Sequence, residues 1–151
     1  MAHVSITAFF CEDIRQEKQQ IVSLIGVLPE NVNVPKIPGA LPKLGLYVRA
    51  NIDLDLRPDV TDLTLNLRFP NKSEHLLNTL KKEWILSEMD KVQSGGTYVG
   101  IVISAVAMNF NIPEEGLIQI VARFAGKEYV CGQMNAKALA PSEEIAKDTV
   151  N

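Results

Sequence analysis

Apolar and polar residues alternate with a period of two along several separate stretches of this chain, the pattern of strands with one buried and one wet face. Residues 44–52, LGLYVRANI, show it most clearly. Leu44, Leu46, Val48, Ala50 and Ile52 share one side, and Gly45, Tyr47, Arg49 and Asn51 the other. Residues 60–69 repeat the pattern, with Leu63, Leu65, Leu67 and Phe69 opposite Thr64, Asn66 and Arg68. Residues 2–11 alternate more loosely, and Val4, Ile6, Ala8 and Phe10 make the better core side. With residues 21–27 they predict a first hairpin. Its polar connection, 12–20, holds neither Gly nor Pro, so a short helical turn or a longer loop is expected there, not a two-residue turn. Gly26 marks a bulge or a close backbone approach.

Other stretches break the period. Pro35, Pro38, Gly39 and Pro42 crowd into eight residues and predict a crossing between sheets or an edge, because proline donates nothing to a ladder. Residues 53–59 and the stretch FPNKSE read as turns, and 74–80 fit either the first turns of the following helix or, the preferred reading, a short strand. Residues 82–93, KEWILSEMDKVQ, take a helical period that groups Ile85, Met89 and Val92 with Trp84 nearby, and Ser94-Gly95-Gly96 ends them. Residues 98–110 are apolar almost without interruption, which predicts a central strand buried on both faces or partly covered by the helix. Residues 117–124 and 128–134 predict a hairpin closed at Ala125-Gly126-Lys127. The expected architecture is therefore all-β: an immunoglobulin-like antiparallel β-sandwich with one short inserted α-helix at about residues 82–93. A single domain over 1–135 precedes a flexible C-terminal tail, 136–151.

Composition sharpens this picture at a few points. The 151 residues are 46% hydrophobic and 22% charged, enough to build one core without disulfides or a metal. The net charge of −3, with both signs interspersed, argues against a nucleic-acid partner. No apolar run is long enough for a membrane span, and no basic segment followed by an apolar one opens the chain. A cytoplasmic protein with reduced Cys11 and Cys131 is the expectation.

Candidate chemistry is sparse. Glu12, Asp13 and Glu17 could gather at a hard cation, but Arg15 and Lys18 lie among them, so a solvated loop with Arg15 paired to Glu12 or Asp13 is the simpler reading. Asp53, Asp55 and Asp59 are good turn formers in a turn. A nucleophilic Cys11 would need a histidine; His3 stands roughly 26 Å away along the same strand at about 3.3 Å per residue, and nothing orients His75. Two cysteines and two scattered histidines do not make a zinc site. No phosphate-binding loop, dinucleotide glycine fingerprint or Gly-x-Ser-x-Gly elbow is present. No catalytic residue, cofactor or metal is expected.

The pieces AFFCEDIR, VSLIGVLPENVNV, LYVR and the IPEEG turn before the last hairpin, in that order, resemble a family of uncharacterised bacterial proteins, a domain of unknown function. Its opening hairpin follows Cys-(Glu/Asp)-Asp-x-Arg … Ser-Leu-Ile-Gly-Val. The resemblance spans about residues 2–134 and implies a sandwich-like fold, with no activity attached.

The function expected from the sequence is a non-enzymatic interaction module for a protein partner or for itself, with no nucleic acid, no membrane and no small molecule. Glu12, Asp13, Arg15 and Trp84 are the candidate surface, Trp84 because an exposed tryptophan is enriched at binding hot spots. Two alternatives stand beside it: a small-ligand binder or hydrolase using Cys11 or the Glu12 and Asp13 carboxylates, and a regulator or inhibitor of a macromolecule in host–virus conflict.

Overall fold

A computed structural model describes residues 3–139. Nine strands follow in order: β1 (Val4–Gln16), β2 (Val22–Val27), β3 (Asn31–Val34), β4 (Gly39–Asp53), β5 (Leu63–Arg68), β6 (Glu74–Leu80), β7 (Tyr98–Ile112), β8 (Gly116–Phe124) and β9 (Lys127–Ala138). One α-helix, α1 (Lys82–Asp90), joins β6 to β7. The strands form two packed sheets, ordered β2-β1-β4-β7 and β3-β9-β8-β5-β6. This is the expected all-β sandwich with one inserted helix. The sheets hold four and five strands, the nine of a variable-type immunoglobulin domain, but β3 runs parallel to β9, so one pairing departs from the wholly antiparallel sandwich expected from the sequence.

The period-two stretches pack as their alternation dictates. Val48, Ala50 and Ile52 of β4, Leu63, Leu65 and Leu67 of β5, and Ile118, Ile120, Ala122 and Phe124 of β8 meet between the sheets. Ala8 and Phe10 of β1 join them, while Phe9 points out. No charged or polar residue is fully buried among the described residues. Residues 35–38 carry the chain from β3 in one sheet to β4 in the other, the crossing that Pro35 and Pro38 predict, whereas Gly39–Pro42, expected in the same crossing, belong to β4, which starts five residues before Leu44 and lies inside its sheet. Ala125 and Gly126 both take positive φ, 51° and 76°, and turn β8 into β9 as a tight two-residue hairpin, with Phe124 facing Lys127.

Four further differences from the sequence reading stand out, three of them through pairing between strands. First, β1 does not end near Cys11. Residues 12–16 stay extended because Asp13, Ile14, Arg15 and Gln16 pair with Ile25, Leu24, Ser23 and Val22, and only 17–21 form the connection. Second, β9 continues past Met134 to Ala138, since Asn135–Ala138 pair with β3 and Ala136 is fully buried; the remainder of the stretch expected as a tail, 140–151, lies outside the described residues. Third, α1 ends at Asp90, three residues short of Gln93. Fourth, and most consequential, the apolar run 98–110 is not a central strand. It belongs to β7, at the edge of its sheet, paired with β4 alone.

Candidate functional site

The two long sides of the sandwich close differently. On one side β1 and β9 come close enough for their backbones to touch: a methyl group placed on Gly132 would lie 2.6 Å from the Ala8 carbonyl oxygen. On the other side β7 and β6 end their sheets, and no strand among the described residues pairs with the free side of either.

β7 is fifteen residues long, YVGIVISAVAMNFNI, without a charge or a proline. Its odd-numbered residues Val99 and Ile101 point inward and are buried. Along this part α1 lies against the strand, with Ile85 and Met89 sunk into the core. Beyond it the cover stops. Ala105, Val106, Ala107, Met108 and Asn109 are all exposed, on both faces of the strand. Met108 is 66% and Val102 47% exposed. Natural edges of this length usually carry charges, prolines or bulges that block further pairing. Among the described residues β2 and β3 are short, and β7 has only the irregularity at Asn109, φ 53°, opposite Pro42.

Between the edges the sheets stand apart. Ala105 and Ala107 are too small to fill the space, so an apolar crevice of about 70 Å³ opens among Leu46, Leu67, Leu77 and Phe110. It adjoins a wider groove of about 370 Å³ with Phe69, His75 and Pro113 on its walls. Three rings line that end. His75 meets Phe69 edge-on at 5.3 Å, and Phe69 stacks on Phe110 at 6.2 Å, which links β6 to β7 through side chains where no backbone ladder does. Leu76 and Leu77 of β6 are exposed beside it.

The sheet β3-β9-β8-β5-β6 carries a four-residue charge network on its outer face. Arg68 donates to Glu128 (2.9 Å) and Arg123 to Glu74 (2.9 Å), with Arg123 reaching Glu128 at 3.1 Å and Arg68 reaching Glu74 at 3.5 Å. The arginines hold both glutamate carboxyls below their usual range, Arg68 acting first on Glu128 and Arg123 on Glu74.

The residues singled out from the sequence fall elsewhere. Glu12, Asp13 and Arg15 sit on the far half of β1, beside β2. Asp13 pairs with Lys43 at 2.8 Å, and not with Arg15, which forms no ion pair among the described residues. That ammonium lowers the Asp13 pKa, helped by the Ile14 N–H. Glu12 lies over Gly26, whose φ of +63° and missing side chain make room for it. Trp84 is 44% exposed on α1, contacts none of these, and does not line the groove. Asp53 caps the 3-10 turn Leu54–Asp59 by accepting the Asp55 N–H.

Both cysteines are free. Cys11 is fully buried against Gly45, and burial, then the Asp13 charge, raises its pKa. Desolvation pushes Cys131 up to about 11. A nucleophilic cysteine needs the opposite shift. A depression of about 620 Å³ beside the β8–β9 turn gathers His3, Asp59 and Lys127, but no hydrogen bond or ion pair joins them. Among the described residues no helix is long and apolar enough to cross a membrane.

Compared with known proteins, the chain matches no protein-family model and no curated protein sequence. The feature that sequence reasoning missed is therefore read from geometry alone. Its signal was the uncharged run 98–112, which a buried central strand would show equally well.

Proposed function

We propose that this protein is a non-enzymatic binding module of the reducing cytosol that works by strand addition. The free edge of β7 takes up an extended segment of a protein, and the groove between β7 and β6 receives its apolar side chains. The observation that carries this reading is a fifteen-residue edge strand without a charge, beside an uncovered apolar crevice. Backbone groups on the free edge give affinity to any extended chain, and the groove lends selectivity for apolar residues at alternate positions. Two free thiols support a reducing compartment, and the acidic net charge of −3 supports a protein partner over a nucleic acid.

Selection of a random peptide library tests the proposal, run in parallel on the wild type and on Val106→Lys, which places a charge on the exposed edge. The expected result is a set of apolar, alternating peptides that bind the wild type, fail on the variant, and slow amide exchange within residues 102–110. Peptides that bind both proteins equally, or a library that yields none, would overturn it.

A further inference from the structure

We infer that the segment added to β7 is the β7 of a second copy, in antiparallel register about a twofold axis through Ser104. The inference rests on the strand-addition reading and names its partner. Two features of the edge point to a copy of itself.

The first is charge. A symmetric antiparallel contact sets only the axial residue opposite itself, where a charge would meet its twin, and any charge elsewhere would need an opposite charge at the facing position. β7 carries none from Tyr98 to Ile112. An edge that selected a different chain by charge would need a code of charges that this strand lacks.

The second is the order of side-chain sizes. With the axis at Ser104, residue 104+n faces residue 104−n of the copy. On the outer face Val102 meets Val106, a pair of β-branched residues that pack well across strands. On the inner face Ile103 meets Ala105, and Ile101 meets Ala107, so a large residue sits beside a small one at each position and the symmetry repeats it. Ala105 and Ala107 are the residues whose small size leaves the crevice open, and the copy's Ile103 and Ile101 stand beside them. The ladder 101–107 is seven residues, longer than an average strand pairing at about 5–6 residues. The two four-stranded sheets would merge into one of eight strands. Its outer face would carry Phe9, Val102, Val106 and Met108 of both copies, exposed in the single chain.

Cysteine pairing tests the register on the full chain. Cα atoms facing each other across an antiparallel pair are about 4.5 or 5.5 Å apart, within disulfide reach. Under mild oxidation Ser104→Cys should form a covalent dimer. Val102→Cys and Val106→Cys should each stay uncross-linked alone and cross-link when mixed. The wild type, whose own thiols are buried or partly so, is the control. In light scattering the wild type should dimerise with concentration, and Val102→Lys or Val106→Glu should weaken this on the order of 100-fold. Val102→Lys combined with Val106→Glu should restore it, because each lysine then faces a glutamate. A wild type that stays monomeric at every concentration, with Ser104→Cys uncross-linked, would overturn the second copy while leaving strand addition to the peptide selection. A dimer indifferent to Val102→Lys and Val106→Glu would place self-association on another surface and likewise overturn the second copy on β7.

Discussion

The side of the sandwich closed by β1 and β9 and the side left open between β6 and β7 solve one problem in opposite ways. Both must end a hydrophobic core without leaving it wet. On the closed side a glycine does it: Gly132 lets the β9 backbone approach Ala8, and nothing larger fits. On the open side the residues at the rim are small as well, Ala105 and Ala107, but no backbone comes to meet them. A small residue facing a neighbour brings elements together, while a small residue facing solvent leaves a hollow that a partner can fill. The outer faces repeat the contrast. One sheet carries the Arg68, Glu74, Arg123 and Glu128 network among exposed Leu76, Leu117 and Val130, and the other presents Phe9, Val102, Val106 and Met108 with the Asp13–Lys43 pair at its far end.

The comparison can be broken at several points. Ile120→Ala, deep in the closed part of the core, should cost about 3–4 kcal/mol in urea unfolding. Val106→Ala on the open edge should cost less than about 0.5 kcal/mol in the monomer; equal losses would mean that the edge is packed. Cys131, beside Gly132, offers a kinetic reading of the closed side. With a pKa of about 11 against an ordinary 9.0, it should alkylate at pH 8 about a hundredfold more slowly in the folded protein than in denaturant. Similar rates would show that the β1–β9 side opens.

Glycine substitutions give the next comparison. Gly132→Ala should cost about 1–3 kcal/mol because the new methyl meets the Ala8 backbone. Gly100→Ala on β7 meets side-chain atoms only at 3.4 Å or more and should change stability by less than about 0.5 kcal/mol. The smallest effect concerns acid. Glu74 and Glu128 titrate lower in the folded state than in the unfolded chain, so their contribution is present above the unfolded glutamate pKa and is lost as pH falls through the folded values. Glu74→Gln with Glu128→Gln should flatten the acid side of the stability profile and leave self-association unchanged. A dimer that weakened with this pair would move the interface to the charged sheet.

Alternation made much of this fold legible. Leu44, Leu46, Val48, Ala50 and Ile52, and Leu63, Leu65 and Leu67, turned inward as their spacing requires, because side-chain direction in a strand follows from local geometry alone. The prolines at 35 and 38 marked the crossing between sheets, and Gly126 the last hairpin. Pairing at a distance was not legible. Residues 12–16 read as a polar loop until β2 gave them a ladder, and 136–138 as a tail until β3 did. The first turn of α1 hid its cap in the same way. Lys81 supplies none, and the Lys82 N–H is met by Asp62, twenty residues earlier, at 2.7 Å.

What the sequence determined by itself was the alternation of its strands, the one helix and most of the turns, since each depends on neighbours a few residues apart. Which strand stands at an edge was decided only by the tertiary structure. An uncharged run of valine, isoleucine and alanine is equally suited to the middle of a sheet and to its rim. The order of strands, set by contacts far apart in the chain, left β7 with one partner and its second side free.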